Sequence, residues 1–228
     1  MTEAPPSVIV LAVTGLVAEA RIVRANGVGT VAGGGNATRL ASLLKAQLSQ
    51  GARGVISIGI AGGLAPSLKA GAIVIADRIL EGSTGWPTDP VWCRALAGSL
   101  PDAFLGALCG VDQPIAGTDA KAALHARAGA LAVDMESHVA ARLAASFALP
   151  FAALRVVADP ASRSLPQAAL VGMRPDGTTD VAAVLRALLR RPGDLAGLIH
   201  TARDAQAAFQ SLKRVCAKLN APLGFPYR

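Results

Sequence analysis

Aromatic residues are scarce in this chain: two Trp, one Tyr and five Phe make up 4% of 228 positions. A surface that binds nucleic acid by stacking needs aromatics interleaved with basic residues, and no such pattern is present. Cysteine is scarce too. Cys93, Cys109 and Cys216 share no paired spacing, which speaks against a disulfide framework or a C-x-x-C metal site and fits a reducing, cytoplasmic setting. His125, His138 and His200 are too scattered for an H-E-x-x-H zinc site, so no metal is expected and each reads as a helix-surface or core residue. The chain has no long Pro/Ser-rich linker and no internal repeat. Its Met1-Thr-Glu-Ala-Pro-Pro start lacks a basic region and the next apolar run is only strand-length, so neither a signal peptide nor a membrane span is expected.

What the chain has in quantity is aliphatic bulk. At 228 residues and 52% hydrophobic composition it has the size of one large domain, taken as residues 1–228, with a substantial core. Apolar runs predict strands at about 8–13, 28–32, 54–58, 72–80, 103–110, 130–134 and 151–157. Helical spacing predicts helices at about 36–48, 90–97, 118–127, 136–147, 180–190 and 194–219. The alternation argues an α/β fold with helices layered on a mostly parallel sheet.

Charge is unevenly placed. Of the net +7, residues 186–228 contribute eight Arg and Lys against Asp194 and Asp204, or +6. The predicted helix at about 194–219 is therefore basic and amphipathic, with Leu195, Leu198, Ile199, Phe209, Leu212, Val215 and Leu219 near helical spacing. Two uses fit it: peripheral contact with an anionic membrane face, or packing on its own domain with a solvated basic side.

Residues 131–160 carry the chemistry. Two short apolar strands flank a helix, and acids stand at both strand ends: Glu136 in Val133-Asp-Met-Glu136, and Asp159 before Pro160. Breaking a purine nucleoside makes the sugar cationic and leaves the base needing a proton. Glu136 suits the first need, as an acceptor for ribose hydroxyls beneath an oxocarbenium-like sugar. Asp159 suits the second if burial beside Val156, Val157 and Ala158 raises its pKa. A residue before proline is driven to extended geometry, which places Asp159 at the carboxyl end of a strand, where open α/β sheets bind ligands. A third segment, Gly54-Val-Ile-Ser-Ile-Gly59-Ile-Ala-Gly62-Gly63, reads as a buried strand ending in a glycine turn that admits an anion or a sugar.

Taken together, Gly59-Ile-Ala-Gly-Gly-Leu64, Val133-Asp-Met-Glu136 and Ala158-Asp159 resemble, in order and spacing, the purine nucleoside phosphorylase and methylthioadenosine nucleosidase superfamily. Ala132-Val-Asp-Met-Glu-Ser-His138, Val157-Ala-Asp-Pro-Ala161 and Gly172-Met-Arg-Pro-Asp-Gly177 are most similar to the bacterial hopanoid-associated phosphorylases. The resemblance implies a three-layer α/β/α fold with a mixed central sheet, and cleavage of the adenine N-glycosidic bond of a nucleoside, adenosylhopane in that subfamily. A methylthioadenosine/S-adenosylhomocysteine-type nucleosidase and a non-catalytic nucleoside or lipid carrier are the alternatives. It further implies a homo-oligomer, no cofactor, Glu136 on the ribose hydroxyls, Met135 packed under the sugar and Asp159 as acid at purine N7. Gly62, Gly63 and Val133 join the substrate site, as do Gln113 and Pro114 at the base. The chain departs from the nucleosidases at Ala158 and Ile60, where they carry serine, and Pro114 has no N–H to donate.

The nucleophile is open between phosphate and water. For phosphate, Gly33-Gly34-Gly35 before a helix, with Arg39 four residues on, supplies amides and a guanidinium; Gly15, Gly59 and Ile60 complete that candidate site, and Arg21 is a second cation. For water, Glu19 matches the activating acid of the nucleosidases. A polycyclic tail would need an apolar wall, for which Trp86 and Trp92 are candidates, unless they are simply packed in the interior.

Overall fold

The computed structural model describes residues 10–170, 177–178 and 180–226. The first two residues of the expected 8–13 strand lie outside the described residues, as do residues 172–176 of the Gly172-Met-Arg-Pro-Asp-Gly177 motif. Strands are β1 (Val10–Thr14), β2 (Gly29–Ala32), β3 (Gly54–Gly63), β4 (Ile73–Glu81), β5 (Thr84–Pro87), β6 (Phe104–Gly110), β7 (Ala132–Asp134) and β8 (Phe151–Asp159). Helices are α1 (Val17–Val23), α2 (Ala37–Leu48), α3 (Pro90–Ser99), α4 (Thr118–Ala128), α5 (Ser137–Ser146), α6 (Gln167–Leu170), α7 (Val181–Arg190) and α8 (Leu195–Lys218).

The sheet runs β2-β1-β3-β7-β6-β4-β5, and β8 bridges β3 and β4, so that β3, β8, β4, β6 and β7 form a closed ring. β1 pairs in parallel with β2 and β3, as do β3 with β8, β4 with β6 and β6 with β7. The β3/β7, β4/β5 and β4/β8 pairs are antiparallel, which makes the sheet mixed. This is the mixed α/β architecture that the sequence resemblance implied.

Strands covered on both faces read as continuous apolar runs, and β1 is buried along its whole length. Its side chains alternate between two cores. Val10 and Ala12 pack with Trp92, Leu96, Leu212 and Val215, on the side of α3 and α8. Leu11 and Val13 pack with Leu40, Leu44, Val139 and Ala140, on the side of α2 and α5. Helix α8 buries Ala208, Leu212, Val215 and Cys216, while Leu195 and Ile199 near its start stay 48% and 44% exposed. Its later turns are thus packed on the sheet. Among the described residues, no helix is long and apolar enough to cross a membrane.

Three elements escape the sequence pattern, among them the four-residue helix α6. Thr84-Gly-Trp-Pro87 consists of turn formers and yet makes β5, an edge strand paired only with β4, where a proline is tolerated. Helix α1 has seven residues, too few for a periodic signal.

The registers bring the three motifs to one place. Gly62 lies opposite Asp159 of β8 on one side and Val133 of β7 on the other, with a register shift between Ala61 and Gly62.

Candidate active site

The expected glycine turn is in fact strand: β3 continues through Gly63. Its glycines make room for charged side chains. A Cβ on Gly59 would stand 2.8 Å from both Arg155 Nη1 and Glu19 Oε1, and one on Gly62 would stand 3.2 Å from Asp159 Oδ2. Glycine is required there for close approach, not for turning.

Around that strand end sits a buried group of three acids and one base. Arg155, fully buried on β8, donates from Nε to Asp134 Oδ2 at 3.1 Å and from Nη2 to Ser57 Oγ at 2.6 Å and Ser137 Oγ at 3.2 Å. Asp134 Oδ1 accepts the backbone N–H groups of Glu136 (2.8 Å) and Ser137 (2.6 Å), which fixes the entry to α5 and so the direction of Glu136. Glu136 Oε2 lies 3.6 Å from Arg155 Nη2. Burial works against the charge of Arg155, but Asp134, Glu136 and Glu19 outweigh it and raise its pKa. Asp134 and Arg155 were not singled out from the sequence. An Arg inside the buried run Ala153-Leu-Arg-Val-Val157 was the available signal, because a guanidinium there must have partners.

Glu19 comes from α1. Its Oε1 accepts the Ile60 N–H at 2.8 Å and its Oε2 the Leu16 N–H at 2.7 Å. Burial raises its pKa, against the lowering effect of Arg155 and these amides. Glu136 is pushed up to about 8, first by burial and then by Asp134 and Glu19, with Arg155 opposing. Asp159 is also raised by burial, against Lys121, whose Nζ lies 2.6 Å from Asp159 Oδ2. Lys121, which the sequence did not single out, is fully buried.

Glu19, Glu136 and Asp159 line one cleft enclosing about 700 Å³, part of it open to solvent. Gly15, Gly35, Ile60, Gly62, Pro114, Val133 and Met135 also line it, and Leu16, Val111, Ile115 and Leu165 add apolar wall that the sequence had not suggested. Most of the expected residues therefore converge. A cleft with apolar walls and a few convergent polar groups is what a small-molecule site requires.

Several expected residues stand elsewhere. Arg39 turns back on its own loop, with Nη1 2.9 Å from Ala32 O and 3.3 Å from Gly33 O, because the carbonyls of that tight turn need a donor. The Arg39 amide is taken by the Asn36 side chain at 2.9 Å, so the first turn of α2 is already capped. Arg21 is exposed on α1. Gly34 gives its amide to Gly15 O at 2.8 Å, Gly59 lies behind the cleft against Glu19 and Arg155, and Gly63 packs against Val157. Gln113 is exposed and, unlike Pro114, is not in the lining. Trp86 belongs to a separate hollow with Thr88, Ala141 and Phe151. Trp92 is in the core, its ring 4.9 Å from Phe225 at 82° and its Nε1 donating to Leu223 O at 3.0 Å. Neither tryptophan is a wall of the cleft.

Of the histidines, His138 is buried with Nε2 3.1 Å from Asp112 Oδ1, His125 Nδ1 lies 2.8 Å from Ala130 O, and His200 is exposed. Among the described residues, no cluster of His, Cys, Asp or Glu could hold a metal ion.

The description of the phosphorylase superfamily matches residues 5–190. The chain belongs to the phosphorylase superfamily. Its similar relatives include a 5'-methylthioadenosine/S-adenosylhomocysteine nucleosidase of Mycobacterium bovis, 27% identical, with the match covering 60% of this chain and 69% of the relative. A Mycobacterium tuberculosis nucleosidase matches equally. Among solved structures, the S-adenosylhomocysteine nucleosidase of Streptococcus pyogenes, in complex with 5-methylthiotubericidin, superposes with a TM-score of 0.63 at 18% identity, over 93% of this chain and 99% of that one. A mutant Helicobacter pylori nucleosidase with 5'-methylthioadenosine in the active site gives 0.65 at 14%, over 93% and 100%. These structural matches establish the shared fold of this superfamily member.

Proposed function

We propose that this enzyme cleaves the N-glycosidic bond of a 5'-substituted adenine nucleoside of the methylthioadenosine/S-adenosylhomocysteine class, with water as the nucleophile. One observation carries the choice of water. The carboxylate of Glu19, anchored by two backbone amides, faces a cleft that it shares with Asp134, Glu136 and Asp159. Among the described residues the cleft lining holds these acids and no lysine or arginine, which suits a cationic transition state better than a phosphate dianion. Of the cation expected to grip phosphate, Arg39, Nη1 donates to the carbonyls of Ala32 and Gly33 in its own loop.

In this reading Glu136 accepts the ribose hydroxyls and Met135 packs beneath the sugar. The C1'–N9 bond breaks as Asp159 passes a proton to purine N7. Glu19 takes a proton from water, whose oxygen bonds to C1', and the products are adenine and a sugar with a 1'-hydroxyl. The raised pKa values suit both proton transfers, since an acid or base works best near the operating pH.

The apolar lining from Leu16, Val111, Ile115 and Leu165 suits a purine with a weakly polar 5' substituent. A hopanoid nucleoside would require a far larger apolar channel, and the two tryptophans considered for its wall stand away from the cleft. The named nucleosidase relatives support the smaller substrate. The test is adenine release from methylthioadenosine, S-adenosylhomocysteine and adenosylhopane, each with and without phosphate. Turnover of the first two without phosphate is the expected result, and release from the lipid nucleoside alone would reject the substrate assignment.

A further inference from the structure

Lys121 stands on α4 with its side chain wholly buried. Its Nζ lies 2.6 Å from Asp159 Oδ2, 2.9 Å from Arg163 O, 3.1 Å from Pro160 O and 3.3 Å from Asp159 O. A buried ammonium is costly unless its protons are matched by acceptors, and here four oxygens from residues 159–163 converge on it. Lys121 is not part of the cleft lining, so it does not meet the substrate. The acid it holds does.

We propose that Lys121 is the positioning residue for the general acid: it occupies Asp159 Oδ2, so that the proton delivered to the base rides on Oδ1, and it sets the pH range in which Asp159 works. The proposal rests on the reading of Asp159 as the acid. Three observations support it. The residue before the acid is Ala158, which has no hydroxyl to orient a carboxyl group. Among the described residues, Oδ1 of Asp159 has no hydrogen-bond partner, while Oδ2 has the ammonium. The three carbonyls bound by Nζ also tie down the segment leading to Leu165, which lines the cleft and donates its amide to Ala116 O at 2.9 Å.

The electrostatics have a definite sign. Burial drives Asp159 toward the neutral form, and Lys121 opposes it from α4. On the α8 side Asp204 favours the neutral form, and is itself paired with Arg163 of the intervening loop at 3.0 Å. Without the Lys121 charge, burial and Asp204 act unopposed. Asp159 would then be carried past the range near the operating pH that burial and Lys121 together set: more of it would be protonated, but each transfer to the leaving base would be slower.

The experiment is the pH profile of kcat for methylthioadenosine hydrolysis by the wild type, Lys121→Gln and Lys121→Met. The basic limb, where Asp159 loses its proton, should move up by about one to three pH units when the charge is removed. At neutral pH kcat should fall about tenfold or more, with KM nearly unchanged. Folded variants whose basic limb coincides with that of the wild type would overturn the proposal, even if their rates are lower, because a merely structural role lowers kcat without moving the limb. If the variants do not fold, the 15Nζ resonance of Lys121 in the wild type provides the readout. It should titrate with the same midpoint as the kinetic basic limb, and a resonance indifferent to that midpoint would overturn the proposal. A wild type inactive on every nucleoside strikes the parent reading, whereas an active wild type with an unmoved limb strikes Lys121 alone.

Discussion

Glu136 Oε2 stands 3.6 Å from Arg155 Nη2, close enough for the guanidinium to attract the carboxylate and too far to hydrogen-bond it. Asp134 takes the strong contact with Arg155 instead. Glu136 is thereby held electrostatically, without a guanidinium hydrogen bond, and lines the cleft.

Replacing Glu136 with Gln should lower kcat/KM for methylthioadenosine by about 10²- to 10³-fold, the range for losing one preorganised electrostatic contact. The same change should stabilise the protein at alkaline pH. Folded Glu136 holds its proton up to about 8, against an ordinary 4.5, so the folded state binds a proton that the unfolded chain has released. Stability contributed by that proton is present in full below the ordinary value and is lost as pH rises through about 8. The melting temperature of Glu136→Gln relative to the wild type should therefore increase across that window, by about 2–4 °C for each kcal/mol recovered.

Asp159→Asn should reduce kcat by about 10²- to 10⁴-fold for an adenine nucleoside, the usual loss for a general acid. The check is a ribosyl substrate whose leaving group departs without a proton. On it the variant should retain most of its rate, and an equal loss on both substrates would mean that Asp159 acts in binding.

Arg155→Leu leaves Asp134 buried beside Glu136 with no counter-charge, and should cost about 3–5 kcal/mol, read as a lower urea midpoint.

Gly59→Ala places a methyl 2.8 Å from Arg155 Nη1 and Glu19 Oε1, and should destabilise by about 1–3 kcal/mol and impair turnover. Gly85→Ala, whose nearest neighbour would be Leu80 Cδ2 at 3.8 Å, is the matched control and should leave activity unchanged.

Much of the architecture was legible because strands buried on both faces must be apolar runs, and β1, β3 and most of β8 are such runs. Asp159 was legible as the acid at the end of β8, and Glu136 as the acid just beyond the short strand β7. The glycines of β3 were misread because spacing alone does not distinguish a turn from a strand that must leave room for Arg155, Glu19 and Asp159. Trp86, a candidate wall because turn formers beside an aromatic resemble a ligand flap, lies instead on the edge strand β5 and lines a separate hollow. Lys121 left no signal: a lysine on a polar helix is ordinarily solvated, and only the folded chain brings it to four oxygens of residues 159–163.

The most direct measurement is the product of methylthioadenosine turnover, with phosphate absent and saturating, by the wild type and by Glu19→Gln. Water activated by Glu19 predicts adenine and a free reducing sugar at a rate indifferent to phosphate, and a loss of about 10²- to 10⁴-fold in the variant. Turnover that requires phosphate and yields a sugar 1-phosphate, with Glu19→Gln as active as the wild type, would contradict the account.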